Sequence, residues 1–262
     1  MTITGISHED LRDLAAALTR RAGAWLASRR LSDLGTATKS SLTDLEIVMA
    51  REAERLVLDD LAERRPDDAV IVNKNYSRTG NSRVRWILNP LDGTVNYTYG
   101  LSSYGVSLAA EVDGVVVAGA VYSALFGTVF DAVLGGGARA DGDLVTCTGA
   151  TDLALSLIAT GFSDSADQRV RQGRAIAELL PDVGNLRLFG PATMDLCAVA
   201  AGHLDAFFEM DLEPWECVAG LLIAAEAGAR TGTVPTPHGE VVVAAAPGVY
   251  ERLVAELQRL YD

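Results

Sequence analysis

The sequence predicts a mixed α/β protein, in which layers of helix pack on layers of sheet. Helical and strand-like segments alternate along its 262 residues. Three consecutive strand-like runs, at residues 105–111, 115–124 and 128–133, are joined by short turns and indicate an antiparallel meander. The chain is long enough to bury a large core. We therefore expect one domain over residues 1–262, with subdomains at about 1–145 and 146–262.

The remaining elements follow from the periodicity of the apolar residues. Apolar side chains three to four residues apart predict helices, and short apolar runs bounded by turn residues predict strands. The expected helices cover residues 8–29, 45–64, 169–180, 190–201, 215–228 and 249–260. The expected strands cover residues 69–72, 84–88, 155–160, 185–189, 206–209 and 241–246, and a polar loop is expected at 76–82.

Capping residues and prolines set the ends of several of these elements. Ser7 can cap the first helix, and Pro181 ends the helix over residues 169–180. Pro191 fits a first helical turn, because its missing N–H is not needed there. The glycines at 135–137 are not followed by the Lys-Ser/Thr of a phosphate-binding loop, so we interpret them as a turn.

Composition and charge disfavour several classes of partner. The net charge of −13 argues against nucleic acid and anionic membrane surfaces, because both are bound mainly through clustered Lys and Arg. The sequence shows neither an apolar run long enough to span a bilayer nor the pattern of a signal peptide, so we expect a cytoplasmic protein. The three cysteines are far apart in the sequence, and we expect them to be small buried residues.

The most informative stretch is WILNPLDGTVNY at residues 86–97. An apolar run leads into Pro90, then into an acid at Asp92, and then into Gly93 and Thr94, where a helix can begin. A strand that feeds such a turn leaves backbone N–H groups free to bind an anion. The segment therefore predicts an anion-binding turn at Gly93 and Thr94.

This stretch resembles the signature D-P-[IL]-D-G-T-x-N-[FY] of the inositol monophosphatase family, with Asn89 in place of the first Asp. A second block, EPWECVAG at residues 213–220, resembles the family's Trp-Asp segment, with Glu216 as the acid. The resemblance covers nearly the whole chain in the right order and spacing. It implies an inositol-monophosphatase-like αβαβα sandwich, a small-molecule substrate and a homodimer.

The resemblance also implies a set of metal ligands, which this chain matches only in part. Family members are Mg²⁺-dependent phosphatases in which Asp and Glu side chains hold two or three ions. This chain keeps Asp92 and has Glu216, and Lys74 stands in place of a family glutamate. Acids of the family are replaced at three further positions, Ala50, Asn73 and Asn89. A unit charge about 4 Å from another is worth roughly 4 kcal/mol near a protein surface, so we expect no metal and no cofactor.

Substrate contacts are implied by the resemblance in the same way. The turn at Gly93 and Thr94 corresponds to the phosphate-binding part of the family site, and Thr94 to a residue that orients the attacking water. The other family positions near the substrate are Ala192, Glu209, Phe162 and Ser163. Among these, Glu209 corresponds to a residue that accepts hydrogen bonds from substrate hydroxyls.

The preferred hypothesis is a repurposed, metal-independent enzyme of biosynthesis that acts on a small anionic or polyhydroxylated ligand. Asp92 and Glu216 are the expected general acid/base pair, and the expected donors to a developing oxyanion are Lys74, Asn73 and Asn89. Elimination, isomerisation or cyclisation suits such residues better than phosphoryl transfer, which depends on charge neutralisation by ions.

Two alternatives stay open. The first is a Mg²⁺-dependent phosphatase of inositol phosphate or a related sugar phosphate, in which Asp92, Glu216, the Leu91 carbonyl and Asn side chains hold the ion. The second is a catalytically silent pseudophosphatase with a binding role. Binding of Mg²⁺ separates the first alternative from the other two hypotheses, because only a phosphatase of this type needs the ion.

Overall fold

The computed structural model describes residues 7–29, 39–73 and 76–262, without the side chains of residues 39–46, 73, 76 and 77. The helices are α1 (His8–Ser28), α2 (Lys39–Arg64), α3 (Thr94–Thr98), α4 (Ala166–Leu179), α5 (Ala192–Ala200), α6 (Pro214–Glu226) and α7 (Pro247–Tyr261). The first strands are β1 (Ala69–Asn73), β2 (Tyr76–Arg78), β3 (Val84–Asp92), β4 (Gly105–Val112), β5 (Val115–Ser123), β6 (Thr128–Val133), β7 (Gly137–Ala140) and β8 (Asp143–Val145). The others are β9 (Leu157–Thr160), β10 (Asn185–Arg187), β11 (Ala206–Met210), β12 (Arg230–Thr236) and β13 (Gly239–Ala245).

The strands form two sheets that follow each other along the chain. The first sheet has eight strands in the order β2-β1-β3-β4-β5-β6-β7-β8, and the second has five in the order β10-β9-β11-β13-β12. The first sheet is antiparallel except for the pair β1 and β3. The expected meander over β4, β5 and β6 is therefore confirmed.

Helices cover both faces of both sheets, which gives five layers. One face of the first sheet packs on α1 and α2, and its other face packs on α5 and α6. The second sheet packs on α5 and α6 from the opposite side, while α4 and α7 cover its outer face. Each interface has its own cluster of buried apolar residues. The predicted mixed α/β sandwich is confirmed, and its division into two subdomains remains a proposal.

Several elements were missed by the sequence analysis, and local composition explains why. The expected loop at 76–82 contains β2, which pairs with β1 as a short hairpin. Strand β12 contains Gly232 and Pro235, residues that disfavour a strand, but it lies at the edge of its sheet, where proline is tolerated. Strands β7 and β8 have four and three residues, too few to show a period-two pattern.

The glycine turn at 135–137 holds a carboxylate of the protein itself. The N–H of Gly135 donates to Oε1 of Glu226 at 2.7 Å, and the N–H of Gly137 donates to Oε2 at 2.9 Å. The backbone donors of this turn are therefore used for packing the end of α6 against the first sheet. The interpretation of the glycines as a structural turn is confirmed.

Two further expectations concern the cysteines and membrane spans. Cys197 and Cys217 are buried and Cys147 is half-buried, and all three are free thiols. No helix in the described ranges is both long and apolar enough to cross a bilayer.

Asp68 anchors the strand that leads to the central motif. Its buried carboxylate accepts hydrogen bonds from Nε of Arg65 at 2.6 Å, from Oγ of Ser82 at 2.6 Å and from Nε1 of Trp86 at 2.8 Å. Trp86 is fully buried in β3. Asp68 thereby fixes the start of β3 relative to the end of α2, and this sets the position of Asp92 at the other end of the strand.

The change Asp68→Ala is expected to destabilise the fold by about 3 kcal/mol, because it leaves the buried indole N–H of Trp86 without its acceptor. Urea unfolding followed by circular dichroism measures this loss. The neighbouring exposed residue provides the control: Asp67→Ala should cost less than about 0.5 kcal/mol. Equal costs for the two variants would show that the buried hydrogen bonds of Asp68 do not stabilise the fold.

Candidate functional site

The site begins where β3 ends, and a bulge in β3 sets its geometry. Asn89 is opposite Ser107 on β4, whereas Asp92 is opposite Gly105, so β3 has one residue more than β4 over this interval. A bulge of this kind turns the following side chain away from the regular alternation of the strand. The extra residue in the Pro90-Leu91 segment thus determines the direction in which Asp92 points.

Gly93 makes the close turn that follows Asp92. Its φ of 78° lies in the left-handed region, and a Cβ there would come within 2.7 Å of Pro191 and of the Ser103 carbonyl. The expected helix after Gly93 and Thr94 is present as α3, but it has only five residues. A helix of little more than one turn has a small dipole, so phosphate binding at Gly93 and Thr94 remains a prediction.

Asp92 is held by the first turn of α5. Its Oδ2 accepts the backbone N–H of Thr193 at 3.2 Å and also accepts the hydroxyl of Thr193. The residue before α5 is Pro191, which offers no side-chain acceptor to the helix. Asp92 therefore satisfies donors of α5 from a different part of the chain, and the end of β3 is joined to the start of α5.

The protonation of Asp92 reflects opposing effects. Burial raises the pKa of Asp92, whereas hydrogen bonds from Thr193, from the Asn89 side chain and from the N–H of Gly93 act to lower this pKa. Asn89 is buried in β3 next to Asp92. The structure thus brings together three residues predicted for the site, namely Asn89, Asp92 and Gly93, and it gives Asn89 the role of a donor to Asp92.

Glu216 lies in the first turn of α6 and takes part in its cap. Its Oε2 accepts the backbone N–H of Glu213 at 2.8 Å, and the Glu213 carboxylate accepts the N–H of Glu216 in return. This reciprocal arrangement is a capping box. The helix start is fixed to the first sheet by Ser107, whose hydroxyl donates to the Trp215 carbonyl at 3.3 Å. The carboxylate of Glu216 is half-buried beside the same strand β4 that pairs with β3.

Two further acids are buried close to Asp92. Glu209 lies on β11 and Asp195 lies in the first turn of α5, where it is fully buried. Both oxygens of Asp195 and Oε2 of Glu209 are buried without a hydrogen-bond partner among the residues that the structure describes. Burial, with repulsion from Glu209 and Asp92, raises the pKa of Asp195 to about 9. Burial, with repulsion from Asp92 and Glu216, raises the pKa of Glu209 to about 8.

The loop at Gly161, Phe162 and Ser163 lies against Glu209 through Gly161, and its substrate-facing role remains a prediction. A Cβ at position 161 would come within 2.3 Å of the Glu209 carboxylate, so a larger residue there would displace the Glu209 side chain. The N–H of Ser163 donates to Gln172 at 3.0 Å, and Arg169 donates to the Ser163 carbonyl at 2.9 Å, which fixes the loop to α4. The side chain of Phe162 is exposed.

The other predicted residues lie in different places. Ala192 is buried at the first position of α5, next to Thr193. Asn73 is the last residue of β1, and only its backbone is described. Lys74 lies outside the described residues. Ala50 is in α2 and packs on the first core cluster.

Thr193 and Asp195 were not predicted as site residues. Their segment, ATMDLCAVA, reads as a small apolar helix, and every residue of it is buried. Asp195 is the single acid in this segment and could have been recognised from the sequence, because a carboxylate inside an otherwise apolar helix needs a compensating partner.

The four carboxylates of Asp92, Asp195, Glu209 and Glu216 form what we call the acidic cluster. Each repels at least one other member, and three of their buried oxygens have no hydrogen-bond partner within the described part of the chain. In the described ranges no three His, Cys, Asp or Glu side chains converge as a ready-made metal-binding group. The cluster nevertheless fits a cation, because a positive charge offsets both the desolvation and the repulsion of the carboxylates.

Comparison with known proteins gives consistent matches over the whole chain. The model of the inositol monophosphatase family matches residues 7–261. An inositol-1-monophosphatase from Mycobacterium leprae is 41% identical over 283 residues, which covers 99% of this chain and 97% of that protein. A protein named Nus factor SuhB from Pasteurella multocida is 31% identical over 254 residues, covering 94% and 95%. The solved structure of Mycobacterium tuberculosis SuhB has a TM-score of 0.84 and 41% identity, covering 96% and 97%.

The raised pKa values predict an unusual dependence of stability on pH. The unfolded chain loses these protons near ordinary carboxyl pKa values, whereas folded Glu209 and Asp195 keep theirs until about pH 8 and 9. The folded state therefore binds more protons between those limits, and its stability falls as pH rises from about 5 to 9. Asp195→Asn removes part of this dependence.

In EDTA, the stability of Asp195→Asn relative to the parent protein should rise by about 4 kcal/mol between pH 5 and pH 8. Urea unfolding at both pH values measures the difference. The exposed residue Asp164 serves as the control, since Asp164→Asn should leave both values unchanged. If Asp195→Asn gives the same difference from the parent at the two pH values, Asp195 does not retain its proton on folding.

Proposed function

This chain belongs to the inositol monophosphatase family, and from that premise we propose that it is a Mg²⁺-dependent phosphatase of inositol phosphate or a related sugar phosphate. The observation that carries the proposal is the acidic cluster, whose mutual repulsion and unpartnered oxygens of Asp195 and Glu209, within the described residues, a bound cation would relieve. The relative from Mycobacterium leprae that is named an inositol-1-monophosphatase supports the same reaction.

This proposal corrects the hypothesis of a metal-independent lyase, isomerase or cyclase. Relatives named inositol-1-monophosphatase match 95% or more of this chain at 41% identity, which favours a phosphoric monoester hydrolase. The expectation of no cofactor is corrected with it, because members of the family use Mg²⁺. Asp92 and Glu216 are therefore proposed as ligands of the cation and no longer as a general acid/base pair.

The residues of the site suit Mg²⁺ in particular. Mg²⁺ is usually held by one or two carboxylates, and water and substrate phosphate complete its coordination. Asp92 and Glu216 would supply the carboxylates, with the Leu91 carbonyl and the Asn89 amide as neutral oxygen donors. A bound Mg²⁺ polarises the phosphoryl group and makes water a stronger nucleophile.

The protein's own groups bind and orient the substrate. The backbone at Gly93 and the hydroxyl of Thr94 would contact the phosphate, and Thr94 would orient water for attack. On the opposite side, Glu209 would accept hydrogen bonds from substrate hydroxyls, and Phe162, Ser163 and Ala192 would line the same side. From the sequence alone, Lys74 and Asn73 remain proposed donors to the phosphate.

The burial of the acidic cluster supports a further part of the mechanism. Asp92 lies between the first sheet and α5, and Glu209 lies against the backbone of Gly161. Electrostatic interactions are stronger where water is excluded. A cation held by these carboxylates would therefore attract a substrate phosphate more strongly than a cation at an exposed surface.

A binding role without catalysis is a second candidate. It is supported by the relative named Nus factor SuhB and by the hydrogen bonds that already occupy Asp92 and Glu216.

We keep a cytoplasmic location and a homodimer as predictions of the proposal, as well as the absence of nucleic-acid and membrane partners.

The proposed activity is tested with inositol 1-phosphate in MgCl₂, with release of inorganic phosphate as the measurement. Hydrolysis should stop in EDTA, and Asp92→Asn should lower kcat/KM by at least about a hundredfold, because Asp92 would hold the cation. The control is Asp164→Asn, an exposed change of the same kind, which should keep the activity of the parent. Hydrolysis that continues undiminished in EDTA would contradict the proposed role of Mg²⁺, and no hydrolysis of any sugar phosphate would favour the silent candidate.

The change Asn89→Asp should raise the affinity for Mg²⁺ by about tenfold, because it adds a negative charge next to Asp92. Calorimetric titration with MgCl₂ measures the affinity. Asn185→Asp, at an exposed position on β10, adds the same charge far from the site and should have little effect. An unchanged affinity in Asn89→Asp would place the bound ion away from Asn89 and Asp92.

A further inference from the structure

Thr193 holds Asp92 through two donors of one residue, its backbone N–H and its hydroxyl. We infer that Thr193 is a positioning residue, which fixes the orientation of the Asp92 carboxylate for binding of Mg²⁺. The inference rests on the proposed phosphatase function. It concerns a residue that does not itself touch the substrate or the ion.

Both donors of Thr193 use the same oxygen of Asp92. The N–H lies 3.2 Å from Oδ2, and the hydroxyl also donates to Oδ2. Neither donor of Thr193 uses Oδ1. Two donors that converge on one oxygen restrict rotation of the carboxylate, and hydrogen bonds to a charged acceptor are stronger than those between neutral groups.

The position of Thr193 in α5 makes this contact rigid. Thr193 is fully buried in the first turn of a helix of nine residues, and the β-branched side chain of threonine has few accessible rotamers. The backbone N–H groups of a first helical turn need acceptors from outside the helix. The Pro191 carbonyl accepts the N–H groups of Met194 and Asp195, but Pro191 has no side-chain acceptor, so the N–H of Thr193 uses Asp92.

The test compares Thr193→Val, which removes the hydroxyl but keeps the shape, with Thr193→Ser, which keeps the hydroxyl. Calorimetric titration with MgCl₂ in the absence of substrate should show about tenfold weaker binding for Thr193→Val and near-parent binding for Thr193→Ser. At saturating MgCl₂, KM for inositol 1-phosphate should be unchanged in both variants, because Thr193 does not touch the substrate.

A second buried threonine provides the matched control. Thr19 is fully buried in α1, and its hydroxyl donates to the Ala15 carbonyl at 2.9 Å. Thr19→Val should cost stability, measured as Tm, without any change in Mg²⁺ affinity. This control separates a general loss of a buried hydroxyl from the loss of the contact with Asp92.

Two results overturn the inference. First, a folded Thr193→Val variant with the Mg²⁺ affinity of the parent would overturn the inference but leave the proposed function intact. If the valine variant does not fold, Thr193→Ala is measured instead. Failure of the parent protein itself to bind Mg²⁺ at millimolar concentration would overturn the proposed function and the inference together. The parent titration therefore distinguishes the two failures.

Discussion

Negative charge buried between the two sheets is the constraint on which the rest of the site depends. Asp92, Asp195 and Glu209 are brought into the interior by β3, α5 and β11, and burial raises the pKa of all three. Carboxylates in such surroundings are costly unless they are paired, protonated or bound to a cation. Hydrogen bonds from Thr193, Asn89 and Gly93 stabilise the Asp92 carboxylate in part. Protonation or a bound ion is needed to stabilise the other buried acids.

The layered fold explains how residues so distant in sequence meet. The bulge in β3 directs Asp92 towards the layer of α5 and α6, which lies between the sheets. Glu216 reaches the same region from the first turn of α6, and Glu209 reaches it from the second sheet. Each acid lies at or near the end of its element, where the backbone leaves regular pairing and polar groups are free to interact. The site is thus a product of the two-sheet arrangement, and neither sheet alone contains it.

The sequence predicted the fold well because the apolar periodicity and the family resemblance agreed. It also proposed Asp92, Gly93, Glu209 and Glu216 for the candidate site, and the motifs around Asp92, Gly93 and Glu216 contain the glycine, proline or tryptophan that made them visible. It missed Thr193 and Asp195 because their helix is apolar throughout, so that their polar groups looked incidental. The error about the cofactor came from counting acids by motif position alone. That count omits Asp195, and it does not show the mutual repulsion of Asp92, Asp195, Glu209 and Glu216 in the folded chain.

Anomalous diffraction from crystals soaked in MnCl₂ tests the central claim most directly, because Mn²⁺ substitutes for Mg²⁺ and identifies its own position. The account predicts an anomalous peak at the acidic cluster, about 2.0–2.3 Å from carboxylate oxygens of Asp92 and Glu216. A peak elsewhere on the protein, or empty density at the cluster in well-soaked crystals, would contradict the claim that these buried carboxylates are there to hold a cation.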